Sequence, residues 1–144
     1  MKNILVLCTG NSCRSQMAEG YLKKYLHQKS NVYSAGVKNH EINSKAIEIM
    51  KMDDIDISNQ TSNHILEYEN IDFDFVITVC DHANETCPNF YSKNAIRLHQ
   101  NFFDPSSQKT KNNWIKLFQK SRDEIKLYCL NFCKKYFNLE KLAE

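Results

Sequence analysis

The chain has 144 residues, 42% of them hydrophobic, which suits one domain spanning 1–144 with a single core. Lys and Arg number 19 against 17 Asp and Glu, a formal net charge of +2, too balanced for a nucleic-acid binder and neutral toward a small anionic ligand. No stretch approaches the roughly 18 consecutive apolar residues of a membrane span.

The first eight residues join a charge, Lys2, to an apolar run ending in Cys8. That run is far shorter than a signal core, and Leu7 is too bulky for a small-residue cleavage site. The expectation is an untargeted, cytoplasmic chain. In that compartment its six cysteines are reduced, catalytic or metal-binding rather than structural staples.

Residues 2–8 read as a short buried strand. From 15 to about 28, Met17, Ala18, Tyr21, Leu22, Tyr25 and Leu26 recur at helical spacing. Residues 31–36 form a second strand closed by Gly36, and Asn43 caps a helix running to Met50 or Lys51. Thr61 or Ser62 starts another short helix, with Ile65 and Leu66 facing the core. Residues 74–79 are the clearest remaining strand, and 95–99 a weaker one. The tail from about 112 to 138 is a long helical pattern carrying Trp114, Phe118, Ile125, Cys129, Phe132 and Tyr136. Strands alternating with helices predict an α/β domain with a parallel sheet covered on both faces, and ligands at the carboxyl ends of its strands. Cys8, Cys80 and the run leading to Asp104 all fall at such ends.

Residues 8–15 (CTGNSCRS) place a cysteine and an arginine around mostly small residues at a strand-to-helix turn. Inward-turned N–H groups of the loop form a nest for an oxyanion, with Thr9, Gly10, Asn11, Ser12, Cys13, Arg14 and Ser15 as the expected binding residues, and the helix start adds its positive end. Arg14 clasps two oxygens of a tetrahedral anion. These positive groups are expected to lower the pKa of Cys8 and favour its thiolate. Asn11 holds the loop through side-chain bonds and tolerates a left-handed backbone, and Ser15 is placed to hydrogen-bond the Cys8 sulfur. Cys13 reads as packing.

Cys80 ends a strand, and Cys87 follows seven residues later before Pro88. The polar residues between them make any helix marginal, and a helix would hold the two sulfurs apart until it unwound. Taken alone the two fit ordinary buried thiols; beside an anion cradle they fit redox chemistry. Asp104 before Pro105 fits a plain turn or a general acid toward a leaving oxygen. Cys129 and Cys133, four apart on one helix face, read as core, and the five histidines show no ligand spacing.

Residues 8–20 resemble the opening of thioredoxin-coupled arsenate reductases. The similarity continues through 31–36, 54–59, 78–80, Cys87-Pro88, 103–105 and 122–126, nearly the whole chain. The resemblance implies the low-molecular-weight protein tyrosine phosphatase fold: a single three-layer domain with a four-stranded parallel sheet flanked by helices. It implies that Cys8 attacks arsenate held by the loop and Arg14, with Asp104 protonating the leaving oxygen. Cys80 then attacks Cys8 to release arsenite, and Cys87 attacks Cys80. The resulting Cys80–Cys87 disulfide is reduced by thioredoxin. Phosphate and sulfate are expected as analogues, no cofactor is required, and a monomer suffices. Some members carry a potassium ion beside the loop. Asn11, Glu19, Ser34 and Thr61 match its surroundings, but Asn63 replaces an aspartate, so affinity is expected to be weak.

Two alternatives compete. A low-molecular-weight phosphatase would use the same Cys8, Arg14 and Asp104 and would need neither Cys80 nor Cys87. A regulator would bind metal through Cys8, Cys13, Cys80 and Cys87, although an anion-shaped loop is a poor place for a cation.

Overall fold

The computed structural model describes residues 1–27, 29–38, 40–87, 93–107 and 112–139. Gln28, the expected end of the first helix, and Pro88 lie outside the described residues. Four strands pair in parallel in the order β2-β1-β3-β4: β1 Lys2–Cys8, β2 Ser30–Gly36, β3 Phe75–Thr78 and β4 Ile96–His99. The expected α/β class, a four-stranded parallel sheet flanked by helices, is the one adopted. β1 lies between two neighbours, which explains its unbroken apolar run: residues 4–8 are all buried. The register sets Leu7 beside Thr78, so Cys8 and Cys80 leave adjacent strand ends. The chain connects β1 to β2 on one side and later returns to β3 on the other. The gap between β1 and β3 is therefore a topological switch point, where ligands settle in such sheets.

Helix α1 (Arg14–Leu26) is buried around most of its circumference because it lies under α4 (Trp114–Phe137) as well as against the sheet. Helix α2 (Ser44–Lys51) starts as expected at Asn43, whose Oδ1 accepts from the N–H groups of Lys45 (2.8 Å) and Ala46 (3.2 Å). Cys129 and Cys133 are core residues, with the Cys129 thiol donating to the Ala18 carbonyl at 3.8 Å. Among the described residues no helix is long and apolar enough to cross a membrane.

The segment after residue 60 departs from expectation. The turn there is a 3₁₀ helix, Ile65–Tyr68, capped by His64 and not by Thr61 or Ser62. His64 Nδ1 accepts from Leu66 N while Glu67 reaches back to His64 N, a reciprocal cap. Ile65 is buried, but Leu66 is 57% exposed, because one tight turn leaves room for a single inward side chain. Residues 81–86, expected to be marginal as a helix, form α3 (Asp81–Thr86), with Cys80 and Cys87 as its two caps.

Candidate active site

The loop between β1 and α1 is held from outside by its carbonyl groups. Thr9 O accepts from Lys38 N (2.9 Å), Gly10 O from His40 N (2.9 Å) and Ser12 O from Asn43 N (2.8 Å). Asn11 O takes the Gln16 amide at 3.0 Å, and Cys13 O takes the Met17 N–H at 3.0 Å. In a planar trans peptide the N–H points opposite to the preceding C=O. Pinning these carbonyls outward therefore turns the N–H groups of residues 10–14 inward, toward the Cys8 sulfur. The nest expected from small residues is made by bonds that those residues receive from elsewhere.

Asn11 is the central fastener. It sits at φ 50°, fully buried, and donates to Ser34 O (3.2 Å) and Asn63 O (3.4 Å). Its Oδ1 accepts from Ser15 Oγ (2.8 Å) and Gln16 Nε2 (3.0 Å). Ser15 is thus committed to Asn11, a correction to its expected bond with the Cys8 sulfur, because its one hydroxyl proton goes to the buried Asn11 Oδ1. Gly36 is equally constrained: a Cβ there would lie 2.2 Å from Lys38 O and 2.7 Å from Thr9 O.

Arg14 is buried across the site. Its Nη1 donates to Phe102 O (2.8 Å), its Nη2 lies 3.6 Å from Asp104, and its buried Nε has no partner among the described residues. A fork fixed at one end, with a donor left over, suits a tetrahedral anion. Asp104 caps its own turn through Ser106 N (3.0 Å) and Oγ (2.6 Å) and keeps its other oxygen toward Arg14. These groups enclose about 150 Å³, well below the roughly 300–1,000 Å³ typical of pockets for drug-sized ligands. The volume favours an inorganic oxyanion. His40 and Ser106 also line it, and neither was marked by sequence spacing. Their places depend on main-chain turns that bring residues 40 and 106 to the rim. A larger hollow of about 560 Å³ between Lys23 and Tyr33 has no cysteine in its lining.

The structure brings Cys80 to Cys8. Cys80 Sγ lies 3.1 Å from Thr9 Oγ1 and accepts from Ala83 N at 3.4 Å, and both thiols are buried. The hydrogen bond from Cys8 draws the pKa of Cys80 down to about 5, with Thr9, the Ala83 N–H and Arg14 adding to the effect against burial. The Cys8 thiol is pushed up, by that same hydrogen bond and by burial, although Arg14 pulls the other way. This reverses the sequence expectation. Two adjacent thiols share one proton, and the charge of the pair rests on Cys80. Burial and the neighbouring Asp104 push Cys13 up to about 12, consistent with a packing role. Cys87, buried at the far end of α3, is also pushed up by burial, with Arg97 opposing.

The residues expected around a cation also meet. Glu19 accepts from Ser34 Oγ at 2.5 Å, and Thr61 Oγ1 donates to Asn63 Oδ1 at 2.7 Å beside Asn11. The Glu19 carboxylate is already paired with the Lys23 ammonium, however, and the Asn11 amide oxygen is taken twice. Among the described residues no group of three or more His, Cys, Asp or Glu side chains is arranged to hold a metal ion.

The family model for low molecular weight phosphotyrosine protein phosphatase matches residues 3–142. The chain belongs to the low molecular weight phosphotyrosine protein phosphatase family. Within it, an arsenate reductase of Staphylococcus xylosus is 47% identical over 135 residues, covering 91% of this chain and 95% of its own. Arsenate reductase 1 of Bacillus cereus is 50% identical over 125 residues, covering 86% and 88%. A solved arsenate reductase in its phosphate-binding state superposes with a TM-score of 0.82 at 32% identity, over 94% of this chain and 98% of that one. The phosphatase family thus includes reductases close to this chain, and the thiol pair at Cys8 and Cys80 is the feature that a phosphatase would not need.

Proposed function

We propose that this chain reduces arsenate to arsenite by passing an oxidised bond along three cysteines. The observation that carries the reading is a second buried thiol, Cys80, brought beside Cys8 at the floor of an oxyanion cradle and held there against Thr9 Oγ1. Arsenate binds to the inward N–H groups and Arg14. The Cys8 proton passes along its hydrogen bond to Cys80, and the Cys8 thiolate attacks arsenic. Asp104 protonates the departing hydroxide, which leaves as water. Cys80 then attacks the Cys8 sulfur and gives its proton to an arsenic oxygen. The sulfur–arsenic bond breaks, arsenic keeps both electrons, and arsenite leaves. Cys87 next attacks Cys80, a Cys80–Cys87 disulfide forms, and the Cys8 thiol is restored. Thioredoxin, the dithiol reductant, takes over that disulfide through a mixed disulfide.

Phosphate and sulfate, with the same tetrahedral shape, compete for the cradle. A slow phosphatase side reaction follows from the same Cys8, Arg14 and Asp104, because the cradle cannot tell phosphorus from arsenic. The enzyme works as a cytoplasmic monomer and needs no cofactor. Potassium binds at most weakly beside Asn11, since Lys23 already neutralises Glu19.

Thioredoxin-coupled turnover of arsenate tests the reading, run beside the single Cys8→Ser, Cys80→Ser and Cys87→Ser chains. The Cys8 and Cys80 variants release no arsenite, and Cys87→Ser releases about one equivalent and stops. Sustained turnover in any of the three contradicts the relay; full activity of Cys87→Ser on an aryl phosphate alone would leave a phosphatase.

A further inference from the structure

Helix α3 is moored to the edge strand β4 at both ends. At its start, Asp81 Oδ1 lies 2.7 Å from His99 Nε2, and His99 Nδ1 lies 2.7 Å from Thr78 Oγ1. Toward its end, Arg97 Nη2 donates to both the main-chain oxygen and the side-chain oxygen (3.0 Å) of Asn84. Arg97 and His99 are two residues apart and therefore share one face of β4. The first mooring lies beside Cys80, and the second lies three residues before Cys87.

These moorings have different fates when a bond forms between Cys80 and Cys87. Seven residues of helix separate the two Cα atoms by about 10 Å. A disulfide requires roughly 4.4–6.8 Å. The helix must therefore come apart, and Asn84, midway between the cysteines, cannot keep its place against Arg97. The Arg97 bonds belong to the dithiol form alone.

We propose that Arg97 is a positioning residue that poises the Cys80/Cys87 couple, holding the pair toward the dithiol and so making the disulfide easier to reduce. The inference rests on the relay reading of those two cysteines. The charge of Arg97 acts in the same direction as its grip, because it favours the thiolate of Cys87 against the burial that pushes this thiol up. Reduction adds two electrons and two protons to the disulfide. Both come from a reductant dithiol, which becomes a disulfide in turn. A reductase must return to its dithiol state after each cycle, and a couple biased this way lowers the demand on the reductant.

The test is a redox titration of the full-length chain against dithiothreitol buffers, with the Cys80–Cys87 disulfide quantified by differential alkylation and mass mapping. Arg97→Met is expected to lower the potential by about 30 mV or more, which is a tenfold change in the exchange equilibrium. Arg97→Lys recovers part of that, since it keeps the charge but loses the fork. Asn84→Ala shifts the potential in the same direction by less. An unchanged or raised potential in folded Arg97→Met overturns the inference. If that chain fails to fold, Asn84→Ala decides in its place. A wild-type chain that never forms the Cys80–Cys87 disulfide fails the relay reading itself, and this inference with it.

Discussion

Residues 8–14 and 80–87 each leave the carboxyl end of a parallel strand, carry a thiol at that point and turn into a helix. They are held in opposite ways. The first segment is fastened by main-chain bonds from residues 38, 40 and 43 and by the four-way side chain of Asn11. The second is a six-residue helix moored by side chains from β4. Isolated helices of that length do not persist on their own propensity. Recognition of a rigid tetrahedral anion needs donors that do not move, since their orientation is paid for in advance by folding. Transfer of a disulfide needs a thiol that can travel. One parallel sheet supplies both by fastening one strand-end turn with backbone bonds and the other with side chains that let go.

The largest effect should come from disturbing the fastened loop. Gly36→Ala sets a methyl group against the main-chain oxygens of Lys38 and Thr9, at 2.2 and 2.7 Å, and neither oxygen can move without releasing the loop. Overpacking of this kind costs about 1–3 kcal/mol. The urea midpoint should fall, and inhibition by phosphate should weaken about tenfold, equivalent to roughly 1.4 kcal/mol of anion binding. A variant with normal phosphate inhibition would show that the bonds from residues 38–43 do not shape the cradle.

A smaller effect should appear at the junction of the two segments. Cys80 carries the charge of the thiol pair with its pKa drawn down to about 5, chiefly by Cys8. Alkylation of Cys80 in the unaltered chain should be half-maximal near pH 5, level off at higher pH and slow progressively at lower pH, as the thiolate takes up its proton. In Cys8→Ala the largest cause is gone, so the midpoint should rise toward the ordinary thiol value of about 8.5. An unmoved midpoint would mean that Thr9 and the Ala83 N–H set the charge on Cys80 without its partner.

Much of this was readable before the structure. The run of apolar residues into Cys8 announces a central strand because β1 is buried on both faces, and Asn43 announces α2 because capping is a local affair of one side chain. Cys8 and Arg14 line one pocket, Cys80 lies beside Cys8, and Cys87 closes the far end of α3. What escaped depends on contacts between distant residues. The donors that pin the loop are backbone N–H groups of Lys38, His40 and Asn43, and a backbone group carries no residue preference to read. The charge on Cys80 rather than Cys8 depends on a sulfur 72 positions away along the chain, beyond any local rule. Arg97 looked like an ordinary strand residue because its partner lies on α3. Leu66 points to solvent because the chain makes a single 3₁₀ turn where a helical period predicts a longer inward face.

The smallest effect should be that of potassium, and its size bears on how complete the fastening of the first segment already is. A cation beside Asn11 would add to a loop whose carbonyls are already bonded, and its carboxylate, Glu19, is engaged by Lys23 and Ser34. The ion would have to displace or share an ammonium that is tethered one turn along the same helix. Exchanging potassium for a bulky organic cation at constant ionic strength should therefore change turnover by less than about twofold, equivalent to roughly 0.4 kcal/mol. Lys23→Met removes the built-in competitor and leaves Glu19 without its partner, so the same exchange should then have the larger effect. A strong potassium dependence in the unaltered chain, with none added by Lys23→Met, would show that the loop is not fully held by its own residues and that the contrast between the two segments is less sharp than the bonds around Asn11 imply.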